Sequence, residues 1–469
     1  MPNSSSSATA AVSSPSTGAS HAASGSSSQT SSPTPLLSVL DVMALIVGIV
    51  IGAGIFSAPA MVAGASGSVE VMMFAWVVGG LISLAGALCY AELATTYPNA
   101  GGDYHYLRMA FGEKVSFLFA WARLTVIPTG SIALLGYVFG DYSSQIYSFG
   151  PGSAAIYATL MIVVLTALNI IGLRSGKRVQ NLLTLIEVGG VLFIIGAGLL
   201  LTPATAPVSA VVTQAGSAPQ WGLVLVFVML TYGGWNEAAY VSAETIGAKR
   251  NLPRALFWSL ALITTVYLLV NIAYVKVLGL AGMAGSQAVA ADVLRAVMGP
   301  AGAQIISALI AVSAITSANA TILTAARTTY AFGRDEPMFA FLGRWNARHH
   351  APTNALLVQG VIALALVCLG ALTRSGFKTM VEYTAPVFWL FFLLTGISLF
   401  VLRRRNAGKE RPFSVPLYPL TPLLFCATSA WLLYSSVQYT GIGALVGIAV
   451  LAVGALLLFW RRQVSTPAP

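Results

Sequence analysis

Charged residues are scarce in this chain. Only 8% of its 469 residues are Asp, Glu, Lys or Arg, where a typical soluble domain has about 25%. Together with 57% hydrophobic residues and a mean hydropathy of +0.81, this scarcity excludes a soluble globular protein, a disordered chain and a nucleic-acid-binding protein. The remaining class is a helical membrane protein with many crossings, since each crossing needs roughly 20 apolar residues.

Cysteine, histidine and catalytic motifs are also sparse. The three cysteines lie in apolar runs without CxxC spacing, so neither a disulfide framework nor a metal-binding knuckle is indicated. The chain has no HExxH or GxSxG motif, and residues 172–178 (GLRSGKR) do not fit the Walker A spacing, which leaves zinc-peptidase, serine-hydrolase and ATP-driven chemistry without their residues. We therefore expect no enzyme activity, no bound metal and no cofactor other than a coupling H+ or Na+.

The first 35 residues contain no Lys or Arg and consist mainly of Ser, Ala and Thr. A secretory signal and a transit peptide both need basic residues, so neither is predicted. We predict three parts: a disordered cytosolic tail (1–35), a single transmembrane transporter domain (36–462) and a short cytosolic tail (463–469).

Twelve apolar runs follow the tail, and each is long enough for one crossing. The runs are 38–64, 70–96, 115–141, 153–173, 182–202, 221–245, 256–280, 304–331, 354–373, 380–402, 418–437 and 441–460. With the tail placed in the cytosol, 19 Lys and Arg residues fall in inner connections and 4 in outer ones. Basic residues concentrate on the cytosolic side of membrane proteins, so we expect both termini in the cytosol and the chain in the inner (plasma) membrane.

Two of these runs are interrupted by paired glycines at mid-depth. Gly52 and Gly54 interrupt the first run, and Gly233 and Gly234 interrupt the sixth. Glycine breaks in corresponding spans of two halves indicate a transporter with inverted repeats and a substrate site at the bilayer midplane. Unwound ends expose N–H groups that attract a carboxylate and C=O groups that accept from an ammonium. The alternative interpretation is that such glycines only let helices pack closely, as we expect for Gly443 and its neighbours.

Several segments carry a family resemblance. Residues 48–56 (GIVIGAGIF) resemble the first-helix signature of the amino-acid/polyamine/organocation superfamily. Residues 232–240 (YGGWNEAAY) with 250–254 (RNLPR) are similar to the sixth-helix pattern of its L-type amino-acid transporter branch and bacterial relatives, as are 317–321 and 411–419. The resemblance implies an all-α membrane protein with twelve transmembrane helices: a five-plus-five inverted repeat with discontinuous helices 1 and 6, plus two extra C-terminal helices.

The resemblance also implies a substrate site at the two breaks. The implied ligands are the amides of Gly52, Ala53 and Gly54 for the substrate carboxylate, and the carbonyls of Val50, Leu230 and Gly233 for the α-ammonium. Trp235, Asn236 and Glu237 follow the second break and are assigned to the same site.

This chain departs from the family pattern beside that site. Relatives often have Ser or Thr where this chain has Ala53, so carboxylate recognition would depend on the backbone alone. Many L-type members have an aromatic gate where Leu230 stands. The gate is then either missing here or moved to Tyr232 or Trp235.

A further departure is Glu187, where many relatives carry a lysine whose ammonium is thought to occupy the place of a sodium ion. An ionised carboxylate in an apolar run is costly, so Glu187 must be protonated, ion-bound or paired. It is either a proton- or cation-coupling residue or a structural partner of Arg178 or Arg123. Ser313 and Ser317 on helix eight are candidates for the same cation site, although their hydroxyls could instead bond to a neighbouring helix.

Other carboxyl groups near the inner ends have their own interpretations. Glu237 either contacts a substrate amine or cation, or offsets the dipole of the inner half-helix. Glu92 is expected to be a structural partner of the inner arginines.

These features predict a secondary active transporter that moves L-amino acids, with small or medium neutral ones favoured, by alternating access. In the absence of an ATP site, a gradient or exchange must drive it. A cationic amino-acid or polyamine carrier of the same fold is the alternative, and a membrane-embedded enzyme or receptor is a distant one. The expected partners are a small amino-acid or amine substrate and the lipid bilayer, with no nucleic acid and no obligate protein partner.

Overall fold

The computed structural model describes residues 37–52, 54–99, 101–171, 177–201, 218–346, 351–373, 375–438 and 441–464. The side chains of 177–184, 241, 243, 244 and 459–464 are outside this description. The predicted N-terminal tail and residues 465–469 also lie outside it, so the division of the chain into a domain and two tails stays a prediction.

Helices make up almost all of the described chain. The α-helices are α1 Val39–Val50, α2 Gly54–Ser66, α3 Val69–Thr96, α4 Gly102–Phe111, α5 Glu113–Thr125, α6 Ile127–Ile146, α7 Ser153–Ile171, α8 Lys177–Gly196, α9 Trp221–Thr231, α10 Ala248–Ala284, α11 Val289–Asp335, α12 Thr353–Thr373, α13 Gly376–Arg405, α14 Leu420–Gln438 and α15 Ile442–Val464. A π-helical turn at Ala197–Leu201 extends α8, and 3-10 helices span Trp235–Glu244 and Pro337–Phe339. Two isolated bridges, Leu37 with Thr245 and Asn346 with Ala351, are the β-type pairings within the described residues.

Each of the twelve predicted apolar runs falls on one of these helices or on a pair of them. Within the described residues, eight helical stretches are individually long and apolar enough to cross a membrane, or nine when α1 and α2, which are bent by 50°, are joined as one span. The predicted all-α membrane class is confirmed. The sixth run falls below that length because α9 has only 11 residues before the chain unwinds, so its crossing needs the 3-10 helix as well.

Two glycines redirect the chain on the predicted outer side. Gly279 in α10 has φ 66°, and Gly299 in α11 has φ 74°. Glycine adopts positive φ readily, and Pro300 after the second turn cannot donate a helical hydrogen bond. Because α10 continues to Ala284 and α11 begins at Val289, the connection between the seventh and eighth apolar runs is largely helical.

Close glycine contacts hold neighbouring helices together. A Cβ added to Gly140 of α6 would lie 2.2 Å from the Ala154 carbonyl oxygen of α7. At Gly443 and Gly447 of α15 it would lie 2.6 and 2.3 Å from carbonyl oxygens of α13. These glycines let one helix backbone touch the next, which confirms the packing interpretation for Gly443.

A buried ion-pair network joins α3 to α13. Glu92 accepts hydrogen bonds from both Arg403 Nε (2.6 Å) and the Val415 amide (2.7 Å), and Arg411 Nε lies 3.8 Å away. Charge-assisted bonds of this kind fix the relative position of the helices that carry them. The prediction that Glu92 pairs with the inner arginines is confirmed.

Candidate functional site

The first break separates α1 from α2. The amide of Ile51 still donates to the Val47 carbonyl (2.8 Å), but Ile51 itself has left helical geometry, and α2 begins at Gly54. Between them, Gly52 is described and Ala53 lies outside the described residues. Helix ends leave carbonyls on one side and amides on the other without intrahelical partners. The end of α1 at Val50 and the start of α2 at Gly54 therefore provide both kinds of group.

The second break lies between α9 and the 3-10 helix Trp235–Glu244. The chain turns at Tyr232–Gly234, where Gly234 has φ 113°. A Cβ on Gly234 would also lie 2.7 Å from Ile49 Cγ2. Gly234 is therefore required for two reasons: its backbone is left-handed, and the first span approaches too closely for a side chain.

The two breaks meet in space. A Cβ on Gly54 would be in van der Waals contact with Thr231 Cγ2, 3.4 Å away. The buried hydroxyl of Tyr267, from α10, faces two carbonyl oxygens, that of Val50 at 2.6 Å and that of Thr231 at 3.0 Å. Tyr267 therefore joins the carboxyl-terminal ends of α1 and α9. Sequence reasoning missed this residue, because a tyrosine within an apolar run is by default a packing or interface residue.

Two of the three predicted carbonyl ligands have hydrogen-bond partners within the protein. The Val50 carbonyl accepts from Tyr267, and the Leu230 carbonyl accepts from the Gly233 amide at 3.0 Å. A carbonyl oxygen has two lone pairs, so each can accept a second hydrogen bond. Both partial negative ends of the broken helices point to this place.

The aromatic residues proposed as gates are buried among other rings. Tyr232 packs against Trp76 and Tyr267, with its hydroxyl 3.0 Å from the Trp76 carbonyl. Trp235 is buried in a ring cluster with Tyr90 of α3 and two phenylalanines, and the neighbouring Asn236 is buried too. Phe388 of α13 also lies beside the second break, 3.8 Å from where a Gly233 Cβ would be.

Glu237 is paired with an arginine. Its Oε1 lies 3.6 Å from Arg123 Nη1, and the same nitrogen donates to the Tyr240 hydroxyl at 3.1 Å. Arg123 comes from α5, so this pair connects the inner half of the sixth span to the third. The structure thus gives Glu237 a cationic neighbour that sequence reasoning had placed beside Glu187.

Glu187 lies buried in α8 with 6% of its surface exposed, and it accepts a hydrogen bond from the Ser313 hydroxyl of α11. Ser317 is half-buried one turn further along α11. Tyr267 lies within electrostatic reach of Glu187. The structure therefore brings Ser313 to the carboxyl group and puts that group near the helix breaks. The proposed partner Arg178 has a side chain outside the described set, and no group of three metal-binding side chains occurs among the described residues.

Comparisons with known proteins agree with this architecture. A family model described as "Amino acid permease" matches residues 37–456. The chain is 31% identical to the b(0,+)-type amino acid transporter 1 of Mus musculus over 416 residues, which are 87% of this chain and 84% of that protein. It is 31% identical to the large neutral amino acids transporter small subunit 2 of Mus musculus over 445 residues (91% and 82%). The serine/threonine exchanger SteT of Bacillus subtilis (strain 168) is 28% identical over 431 residues (89% and 95%).

Proposed function

Because this chain belongs to the amino acid permease family, we propose that it is a secondary active transporter that moves L-amino acids across the membrane by alternating access. Its relatives are amino acid transporters and not enzymes, in line with the missing catalytic motifs. The observation that carries the proposal is the meeting of the two broken helices at Tyr267. Such a junction is a suitable site for a zwitterion.

The two charged ends of the substrate would bind to opposite kinds of helix end. The amides at the start of α2, from Gly52 to Gly54, would hold the carboxylate, because a helix N-terminus carries a partial positive charge. The carbonyls of Val50, Leu230 and Gly233 would accept from the ammonium. Backbone groups alone can make these contacts, which removes the need for a hydroxyl at position 53.

Small or medium neutral amino acids are the favoured substrates. A substrate with a second positive charge needs a carboxylate that has no cation of its own, and Arg123 already stands 3.6 Å from Glu237. The relative SteT is named a serine/threonine exchanger, and its name supports small neutral substrates and exchange. The ion pair therefore weighs against a carrier for cationic amino acids or polyamines.

Glu187 is the proposed coupling residue. A buried carboxylate within a membrane span needs a proton or a cation to offset its charge, and in this structure its hydrogen-bond partner is the neutral hydroxyl of Ser313. H+ or Na+ bound there would change the electrostatic potential at Tyr267, whose hydroxyl contacts the helix ends at both breaks. Ser317 would complete the cation site in another state of the cycle.

The proposed membrane arrangement has twelve crossings, a five-plus-five inverted repeat and both termini in the cytosol. Two observations support it: eight to nine helical stretches among the described residues are long and apolar enough to cross a membrane, and basic residues are in excess in the connections predicted to be cytosolic. We retain the prediction that no protein partner is obligatory. One relative is named a small subunit, so this prediction needs its own test, and transport by the purified chain alone would provide it.

The purified chain, reconstituted in proteoliposomes loaded with unlabelled serine, tests the proposed function. We expect uptake of labelled serine or alanine, competed by small neutral amino acids and much less by arginine or putrescine. The absence of both uptake and exchange across a panel of amino acids and amines would exclude it. Competition mainly by arginine or putrescine would instead favour the cationic carrier.

Gly54 provides a test of the site itself. Gly54→Val would obstruct the backbone approach to the carboxylate and is expected to abolish binding, whereas Gly54→Ala would meet only ordinary contacts with Thr231 and serves as the control. Thermal-shift titration with serine measures both variants. Equal ligand shifts in Gly54→Val and the wild type would contradict the assigned carboxylate contact.

A further inference from the structure

A cluster of charged and hydroxyl groups lies along the 3-10 helix that follows the second break. Tyr240 accepts from Arg123 Nη1 (3.1 Å) and donates to Asp103 Oδ2 (3.2 Å). The Arg123 guanidinium also lies 5.2 Å from the centre of the Tyr240 ring. Asp103 belongs to α4 and has 4% of its surface exposed. The cluster thus connects the inner half of the sixth span to two other helices through a single tyrosine.

Two more hydroxyl groups surround the Asp103 carboxyl. Thr395 of α13 donates to Oδ1 at 3.3 Å. The hydroxyl of Tyr90 of α3 faces the same carboxyl. It is buried and makes no hydrogen bond among the described residues. A Cβ on Gly102, which has φ 46°, would lie 2.7 Å from the Tyr240 ring. The tyrosine therefore packs directly on the backbone beside Asp103, and a movement of the 3-10 helix away from α4 would break this contact.

The charges of this cluster do not balance. Arg123 is one positive charge, and Glu237 and Asp103 are two carboxyl groups, so the fully ionised cluster carries one net negative charge. Asp103 is buried, whereas the Glu237 side chain is 37% exposed, and an ionised carboxyl group is unfavourable where it is buried. Arg123 is the direct neighbour of Glu237, whereas the hydrogen-bond partners of Asp103 among the described residues are hydroxyl groups, so Asp103 is where the proton would bind. Among the described residues, the charged and titratable groups around α4 are Tyr90 (α3), Arg123 (α5), Glu237 and Tyr240 (3-10 helix), Arg405 (α13, at the Met109 carbonyl), Lys409 (which acts on His105), and Tyr104, His105, Tyr106 and the Arg108–Glu113 pair at α4 itself.

We propose that Asp103 is a proton-binding residue that holds the inner half of the sixth span closed against α4 and α13 when it is protonated. This inference rests on the proposed transport function, in which the inner half of the sixth span must move to release substrate. It assigns to α4 a proton site separate from Glu187.

The direction of the pH effect follows from burial. Desolvation raises the pKa of Asp103 to about 6, while an aspartate exposed to water by opening would have a pKa of about 3.9. The state with the higher pKa binds the proton more tightly, so acid favours the closed form. Between about pH 7.5 and about pH 5.5, these two pKa values shift the closed-to-open ratio about four-fold toward closed.

Transport at controlled pH on each face tests the proposal. Proteoliposomes holding the protein at about pH 5.5 or about pH 7.5 on the face that carries α4 should differ about four-fold in serine exchange, slower at the acidic pH. Asp103→Asn, which is neutral at all pH, should exchange slowly at both values. Asp103→Glu should retain a pH response, and Asp335→Asn, which removes an exposed carboxylate, should behave as the wild type.

Hydrogen–deuterium exchange of residues 235–247 gives a readout that does not need transport. After correction for intrinsic rates, exchange there should be about four-fold slower at the acidic pH in the wild type and in Glu187→Gln. In Asp103→Asn it should be slow and independent of pH. An equal pH response in Asp103→Asn and the wild type, or its loss in Glu187→Gln alone, would overturn the proposal. A wild type that exchanges no amino acid at any pH would instead overturn the proposed function, while the deuterium measurement still decides the role of Asp103.

Discussion

Glu92 and Glu187 are two buried glutamates within membrane helices, and they differ in what surrounds them. Glu92, 1% exposed, is bound by the Arg403 guanidinium and the Val415 amide, with Arg411 close by. Glu187, 6% exposed, is bound by one serine hydroxyl. Two arginines, which stay charged at all physiological pH values, neutralise the first carboxylate in this structure. The second has no such charge among its described contacts, so its charge state can change with a bound proton or cation.

The largest expected effect is on the stability of Glu92→Gln. This change leaves Arg403 and Arg411 partly buried without their counter-charge, which typically costs about 3–5 kcal/mol. We expect a strongly lowered melting temperature in detergent. Glu113→Gln is the control, because the Arg108–Glu113 pair is exposed and such pairs contribute about 0–1 kcal/mol. Equal melting of the two variants would show that the Glu92 network is not structural.

Glu187→Gln should have the opposite profile, with little loss of stability and a large change in coupling. Glutamine keeps the shape and the bond to Ser313 but stays neutral at all pH values. Transport should therefore lose its dependence on external pH or on Na+, while substrate affinity changes less. Exchange assays across pH, with and without Na+, measure this. An unchanged profile would make Glu187 a structural residue like Glu92.

Tyr267→Phe tests whether the Tyr267 hydroxyl holds the two breaks together. The change removes the hydroxyl that contacts the Val50 and Thr231 carbonyls, and the loss of one such hydrogen bond costs about 1 kcal/mol. We expect serine affinity to change by about five-fold, since 1.4 kcal/mol corresponds to about ten-fold. Isothermal titration of the purified variant measures it. Wild-type affinity would mean that the two breaks are held together without this hydroxyl.

The smallest expected effect is that of Ser313→Ala. Loss of its hydroxyl removes the hydrogen bond to Glu187, and one such bond contributes about 0.5–1.5 kcal/mol to stability, so the pH profile of transport should shift by less than in Glu187→Gln. Ser307→Ala in the same helix is the control, because the Ser307 hydroxyl has no partner among the described residues. A shift of the same size in both variants would show that the effect is not specific to Glu187.

The breaks were predictable because their signal is local. Paired glycines at mid-depth of an apolar run predict where a helix unwinds, and α1 and α9 end within two residues of Gly52 and Gly233. It was also predictable that Glu92 would pair with basic side chains, because a buried carboxylate needs a nearby positive charge. The specific pairs were not: Arg123 and Glu237 are 114 positions apart, and Tyr267 is more than 30 positions from either of the carbonyls that its hydroxyl contacts. Which spans are neighbours depends on packing, which one sequence does not record.

The hydroxyl of Tyr267 has a single hydrogen to share between the carbonyl oxygens at the ends of α1 and α9. At any instant, one of those oxygens goes without it. An ammonium group brings three N–H donors, enough for both oxygens and for a third acceptor at the turn. In the proposed site, one of these N–H groups would bind the oxygen that the Tyr267 hydrogen does not reach, and these contacts would draw the two broken spans together around the substrate.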